Sequence, residues 1–272
     1  MLFELRDVSC GYDENKPVLS RISMTLKDGE ICCILGPNGV GKTTLFKTIL
    51  GMLPLRAGSM SIDGQDITQW NAKKRSQTIA YVAQAHVPAF PYKAEDMVML
   101  GRIGQVSRFS QPTRHDFEIV ERAMYDMGID YLHGKAYTDI SGGERQLLMI
   151  AKALAQEPDL LLLDEPTANL DFGNMAHVLA KMNELAESGL CILFTSHLPD
   201  QAFLCKSKAA LLMRGEPMLF GSCDLVVTEA NLEHAYHAPV QVAEIIGEDG
   251  RPLRLVAPKL SDLRDRMRKI DA

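Results

Sequence analysis

Eight consecutive residues, Gly36-Pro37-Asn38-Gly39-Val40-Gly41-Lys42-Thr43, restrict the fold of this chain more than any others. They follow an apolar run, "EICCIL" (30–35), and precede Phe46, Ile49, Leu50 and Leu53, which keep the i, i+3, i+4, i+7 spacing of a helix. A strand, a glycine-rich loop and a helix in that order form a phosphate cradle. The glycines let the backbone curl until its N–H groups face an anion. Lys42 supplies a cation for the β- and γ-phosphates, and Thr43 a hydroxyl for Mg²⁺. The helix start adds about half a positive charge. Gly36, Asn38, Gly39, Gly41, Lys42, Thr43 and Thr44 are therefore the expected nucleotide-binding residues.

Three further runs are apolar on both faces, as strands of a covered parallel sheet must be: "TIAYVA" (78–83), "DLLLLD" (159–164) and "CILFTS" (191–196). Each run ends on a residue able to do chemistry. The first leads to Gln84, the second ends in Asp164-Glu165, and the third runs into His197. Ligands of open α/β sheets sit beyond the carboxyl ends of the strands, so these side chains and the glycine loop are expected on one edge. Asp164 suits Mg²⁺, and Glu165 suits the base that polarises an attacking water. Elsewhere the period is two. Phe3 and Leu5, then Ile22, Met24 and Leu26, then Met60 and Ile62 alternate with polar residues, and Asp28-Gly29 and Asp63-Gly64 supply turns. That is the pattern of antiparallel strands with one wet face. Met175, Val178, Leu179, Met182 and Ala186 form a helical stripe, as do Leu147, Ile150, Ala151 and Leu154 just after Ser141-Gly142-Gly143. The serine–glycine turn is a second candidate anion seat at a helix start.

The composition, 46% hydrophobic and 24% charged, is that of a globular chain. A net charge of −6 argues against a general nucleic-acid binder, and no nucleic-acid partner is expected. No apolar run approaches the roughly 20 residues of a membrane helix. The N-terminal "MLFELRDVSC" alternates and carries acids, unlike a signal peptide. A soluble, cytoplasmic protein is expected. The six cysteines form no CxxC pair and are expected to be buried thiols, and the close pair His234 and His237 lacks ligand spacing.

Gly36–Thr43, Gln84, Ser141-Gly142-Gly143, "LLLLDEPTANLD" (160–171) and His197 occur together in an order that resembles the ATP-binding cassette (ABC) ATPases over about residues 1–220. The resemblance implies ATP and Mg²⁺ as cofactors and an α/β fold. That fold is a P-loop (RecA-like), mainly parallel sheet with an antiparallel β subdomain and an inserted helical subdomain. Residues 1–85 and 158–221 would form the ATP-binding core, 86–157 the helical signature subdomain and 222–272 a C-terminal extension. It further implies that Tyr12 stacks on adenine, that Gln84 touches Mg²⁺ and the attacking water, and that Asp171 couples subunits. His197 would contact the γ-phosphate, and Thr43 and Asp164 would complete the metal site. Ser141–Gly143 would bind the nucleotide held by a second copy, closing a head-to-tail sandwich around two ATPs. The signature departs from the family's usual Leu and Gln at Ile140 and Glu144, and Glu144 brings negative charge near a phosphate seat.

"FPYKAEDMVMLGR" (90–102) is similar to importer ATPases for ferric siderophores, haem, cobalamin and related chelates. The expectation is a homodimer that drives separate transmembrane permease subunits, works indirectly with a substrate-binding protein and sits on the inner face of the membrane through the permease. A zinc or manganese importer ATPase, or a soluble iron–sulfur assembly ATPase, is the alternative. A GTPase is disfavoured, because "NKPV" at Asn15 lacks the Asp of a guanine-reading motif. The tail after Gly221 is expected to hold short β pieces and a charged amphipathic segment, "SDLRDRMRK".

Overall fold

The computed structural model describes residues 1–14, 16–83, 90–105, 111–247, 250 and 252–260. In chain order the elements are β1 (Leu2–Cys10), β2 (Leu19–Lys27), β3 (Ile31–Leu35), α1 (Lys42–Ile49), β4 (Leu55–Ile62) and β5 (Gln65–Asp66). Next come α2 (Ala72–Thr78), β6 (Ile79–Val82), α3 (Ala94–Met99), α4 (Arg114–Asp126), α5 (Gly142–Leu154) and β7 (Leu160–Leu163). The remainder are α6 (Phe172–Glu187), β8 (Cys191–Thr195), α7 (Asp200–Leu204), β9 (Lys208–Leu211), β10 (Leu219–Ser222), α8 (Cys223–Val226), α9 (Glu229–Tyr236), β11 (Val240–Ile246) and β12 (Pro252–Pro258). They divide between two compact units: Met1–Phe3, Lys27–Glu30 and Ser61–Phe194 form the first, and Glu4–Leu26, Ile31–Met60 and Thr195–Ala272 the second.

In the first unit β6, β7 and β8 run parallel, with Ile79 opposite Leu160 and Leu160 opposite Cys191. Every residue of β7 is buried, and each fully buried leucine contributes about 1.5–3 kcal/mol. The apolar stripe of α6 buries Val178, Leu179, Met182 and Ala186, as its spacing requires. In the second unit β3 is buried throughout and pairs in parallel with β9, to which β10 is antiparallel. β2, β1 and β4 lie side by side in a separate sheet, where Val18 N–H closes the first hairpin on Cys10 O at 2.8 Å. All four two-faced apolar runs are therefore strands within a residue of their expected limits, and the antiparallel pattern is equally visible.

Two local expectations need correction. The helix after the glycine loop stops at Ile49, because Leu50 is already its cap and Gly51 turns left-handed (φ 70), so Leu53 is outside it. The tail after Gly221 opens with two helices, not strands. Thr228 caps α9 by accepting from Asn231 N–H, and only Leu232 and Ala235 of α9 are buried, too little apolar period to stand out in the sequence. The hairpin of β11 and β12 comes next, and "SDLRDRMRK" lies outside the described residues. All six cysteines are buried free thiols, and burial pushes Cys205 up to about 12. Among the described residues no helix is long and apolar enough to cross a membrane.

The Leu-Gly-Arg triplet has a packing role in the first unit. A Cβ at Gly101 would lie 2.1 Å from Lys152 O, so only glycine lets this turn rest on α5. Arg102 is 5% exposed and donates to Asp116 (3.0 Å), Glu157 (2.8 Å) and Ala155 O (2.8 Å) at the C-terminal end of α5. Thr113 N–H and hydroxyl, with Arg102 behind them, hold the Asp116 carboxyl down to about 2. A carboxyl lowered in the folded state contributes stability that is complete above its ordinary value and is lost as pH falls through the folded one. Arg102→Met is expected to cost about 3 kcal/mol at pH 7, as removal of one partner from a buried pair does. The gap to wild type should narrow as pH drops from about 4 toward 2. Denaturant midpoints across that range check this, and a gap that does not change with pH would contradict it.

Candidate nucleotide-binding site

The second unit carries the glycine loop. β3 leads into Gly36, whose φ of +144 and whose missing Cβ, which would lie 2.6 Å from Leu212 O, both demand glycine. Gly41 (φ +121) precedes α1, and a Cβ there would strike Leu19 and Val18 at 2.8 and 2.9 Å. No side chain caps the first turn of α1, which suits a helix start whose cap is a phosphate. Lys42 is 6% exposed and bends back over the loop, donating to Gly36 O at 2.6 Å and reaching Pro37 O at 3.4 Å. Its Nζ lies 3.2 Å from His197 Nδ1. An ammonium has no lone pair to give, so Nδ1 accepts and the imidazole proton is assigned to Nε2.

His197 is held at that spot by a fixed turn. Ser196 N–H reaches Ile34 O at 3.1 Å, and the Ser196 hydroxyl accepts from Leu198 N–H and donates to Gln201. Two residues far apart in sequence thus meet beside the glycine loop. Tyr12 is 61% exposed, and Lys47 Nζ lies 3.3 Å from its hydroxyl and 5.8 Å from its ring centre.

The first unit carries the acids and the serine–glycine turn. Asp164 caps β7, is 7% exposed and accepts from the Tyr81 hydroxyl at 3.3 Å. Burial first, then this carboxylate, pushes Tyr81 up to about 12, so the phenol stays a donor. Glu165 is half-buried at φ +51, a left-handed conformation that costs a non-glycine residue about 1–3 kcal/mol and is concentrated at functional sites. Asp164 in the first unit and Thr43 in the second each offer a hard oxygen donor of the kind Mg²⁺ takes.

Ser141 caps α5, a helix of 13 residues, and both Ser141 and Gly142 are exposed. The Ser141 hydroxyl oxygen accepts from Glu144 N–H at 3.2 Å, while Ser141 N–H donates to Glu144 Oε2 at 2.7 Å. The Tyr131 hydroxyl holds the other Glu144 oxygen at 3.0 Å. The hydrogen bond from the Ser141 backbone, foremost, lowers the Glu144 carboxyl. The acid that departs from the family pattern is therefore folded back into a capping box. Asp171 caps α6, accepting from Asn174 N–H and from its side-chain amide, both at 2.8 Å. A Cβ on Gly143 would come within 2.2 Å of Asn174, so the signature glycine packs directly on this cap. Asn174 was not expected; the Asp-x-x-Asn spacing at a helix start is the only sequence signal for it. Gln84 lies outside the described residues. Among the described residues there is no cluster of three or more His, Cys, Asp or Glu able to hold a metal.

A glycine loop feeding an uncapped helix start, with its lysine curled over the loop, defines a P-loop nucleotide-binding protein. The model of the family described as ABC transporter matches residues 19–168. The molybdate import ATP-binding protein MolC of Haemophilus influenzae is 32% identical over 84% of this chain and 85% of its own. The hemin import ATP-binding protein HmuV of Nocardia farcinica is 33% identical over 86% of this chain and 81% of its own. The solved structure of a metal-chelate type ABC transporter in an inward-facing conformation superposes with a TM-score of 0.85 at 28% identity, covering 96% of this chain and 98% of that one. The chain belongs to the ATP-binding subunits of the ABC transporter family, and is an ATPase that binds ATP.

Proposed function

We propose that this chain is the motor of an ABC importer: it closes head to tail with a second copy around two ATP–Mg and drives separate permease subunits. The observation that carries the reading is the exposed Ser141–Gly142 cap of α5 beside the Asp171 cap of α6, an anion seat turned to solvent. Lys42 and the loop amides bind the β- and γ-phosphates, and Tyr12 stacks on adenine. Thr43, Asp164 and Gln84 would hold Mg²⁺, which neutralises charge developing on the phosphates. Glu165 takes the proton of the attacking water, and His197 donates toward the terminal phosphate through Nε2–H. Ser141, Gly142, Gly143 and Asp171 act on the facing copy's nucleotide.

Import of a metal chelate such as a ferric siderophore, haem or cobalamin is supported by the hemin relative and by the metal-chelate type neighbour. The molybdate relative favours a broader class of cargo, since the motor itself touches none. Localisation at the inner membrane face follows from the permease. Docking there is supported by exposed apolar residues of one stretch of the first unit: Phe90 (62%), Tyr92 (53%), Leu100 (41%) and Ile103 (67%). The rings of Phe90 and Tyr92 lie tilted at 55° with centres 6.1 Å apart. Ile103→Glu is expected to reduce permease co-purification from host membranes about tenfold while leaving ATP affinity unchanged. Undiminished recovery of the permease would remove this face from the interface, and recovery of no membrane protein by the wild type would favour the soluble iron–sulfur reading.

A further inference from the structure

The sheet hydrogen bonding of β3 ends with Leu35, whose carbonyl accepts from Leu212 N–H at 2.9 Å. The next amide, Gly36 N–H, opens the phosphate loop. Its partner comes from 200 residues away: the Tyr236 hydroxyl accepts from Gly36 N–H at 3.0 Å. Tyr236 is the last residue of α9, and His237 ends that helix in a left-handed cap (φ 54), which stops the chain where the phenol reaches the loop.

The contact is supported on both sides. Gly36 cannot move toward the strand, because Leu212 O already lies against it. On the helix side, α9 is fixed to the hairpin after it, where Val242 N–H donates to Glu229 at 2.9 Å and Val240 N–H to Glu233 at 3.2 Å. A cavity of about 240 Å³ separates Pro37 and Asn38 from the rest of α9, and His234 beside it is held by Glu216 at 2.8 Å. The phenol is thus the polar link across a gap, not part of a continuous packed face. Burial pushes Tyr236 up to about 12, so it remains a neutral phenol at any physiological pH.

We propose that Tyr236 is a positioning residue for ATP: by holding Gly36 N–H it fixes the base of the phosphate loop, and so makes α9 part of the nucleotide machinery. The loop amides further along can face phosphates only if the curl begins at the right angle. Gly36 sets that angle, with Tyr236 on one side and Lys42 Nζ on its carbonyl on the other. Without the phenol oxygen, the amide can satisfy itself only by turning toward water, which moves the loop. A ligand or partner that displaces α9 would weaken ATP binding by the same route. This inference rests on the reading of Gly36–Thr43 as the ATP site.

The test uses the full chain with Tyr236→Phe, which keeps the ring and removes the acceptor. Loss of one neutral hydrogen bond should raise the calorimetric Kd for ATP–Mg and the KM about three- to tenfold. The kcat should change less than twofold, and the melting temperature without nucleotide should fall by no more than about 4 °C. A purely structural tyrosine would move the melting temperature and leave the split between KM and kcat untouched. An unchanged Kd for ATP–Mg, or equal losses in kcat and affinity, would overturn the proposal. Lys42→Ala measured alongside separates the two readings. If Lys42→Ala loses ATP and Tyr236→Phe does not, only the positioning role fails; if neither loses it, the loop assignment fails as well.

Discussion

Glu165→Gln is expected to bind ATP with near wild-type affinity and to hydrolyse it about 10² to 10⁴ times more slowly, the span that loss of a positioned general base covers. The substitution removes a proton acceptor and keeps the size and hydrogen-bonding reach of the side chain. Glu165 adopts φ +51 at the end of a strand whose last residues are all buried, so its direction is set by the backbone and the amide should occupy the same place. With chemistry blocked and binding intact, the ATP-bound state should accumulate, and it should run as a dimer on gel filtration in ATP but not in ADP. Single-turnover hydrolysis measures the first effect and the elution volume the second. Turnover within threefold of wild type would take Glu165 out of the role of base.

Lys42→Ala and Ser141→Arg chains should each be inactive alone and recover activity when mixed. Lys42 curls over the loop, and Ser141 caps an exposed helix start that, in the proposed head-to-tail arrangement, would serve the other copy. Each parent homodimer therefore lacks one half of both sites. In a mixed dimer one site loses both halves and the other keeps both. Random pairing of equal amounts should return roughly a quarter of wild-type sites, because half the dimers are mixed and each has one competent site. Activity of a mixture no higher than that of its parents, or substantial activity in either parent, would mean that each chain completes its own site.

Much of this was legible in the sequence because it depends on short-range chemistry. "DLLLLD" can only be a strand covered on both faces, and the glycines of the loop announce backbone angles that other residues cannot adopt. The serine–glycine turn carries its own capping signal in Glu144, although that acid first reads as unwanted charge near a phosphate; its place in the cap needs the Tyr131 hydroxyl as well. The importer-like Leu-Gly-Arg is readable as a resemblance, but its work, Gly101 against α5 and Arg102 in a buried ion pair, is a matter of packing. Tyr236 was invisible for the same reason, and Asn174 left only its Asp-x-x-Asn spacing. A tyrosine near the end of a weakly amphipathic helix looks like any other until the fold brings it against Gly36.

The bent-back posture of Lys42 has a bearing on how its variants behave. Its ammonium tethers the carbonyl of Gly36 and reaches that of Pro37, and it abuts the His197 ring, so it braces the curl directly. Removing the lysine subtracts a scaffold strut together with a charge. Replacement by arginine keeps the charge but offers a planar fork in place of a compact point. Defects at this position therefore report the shape of the cradle as much as the attraction it exerts.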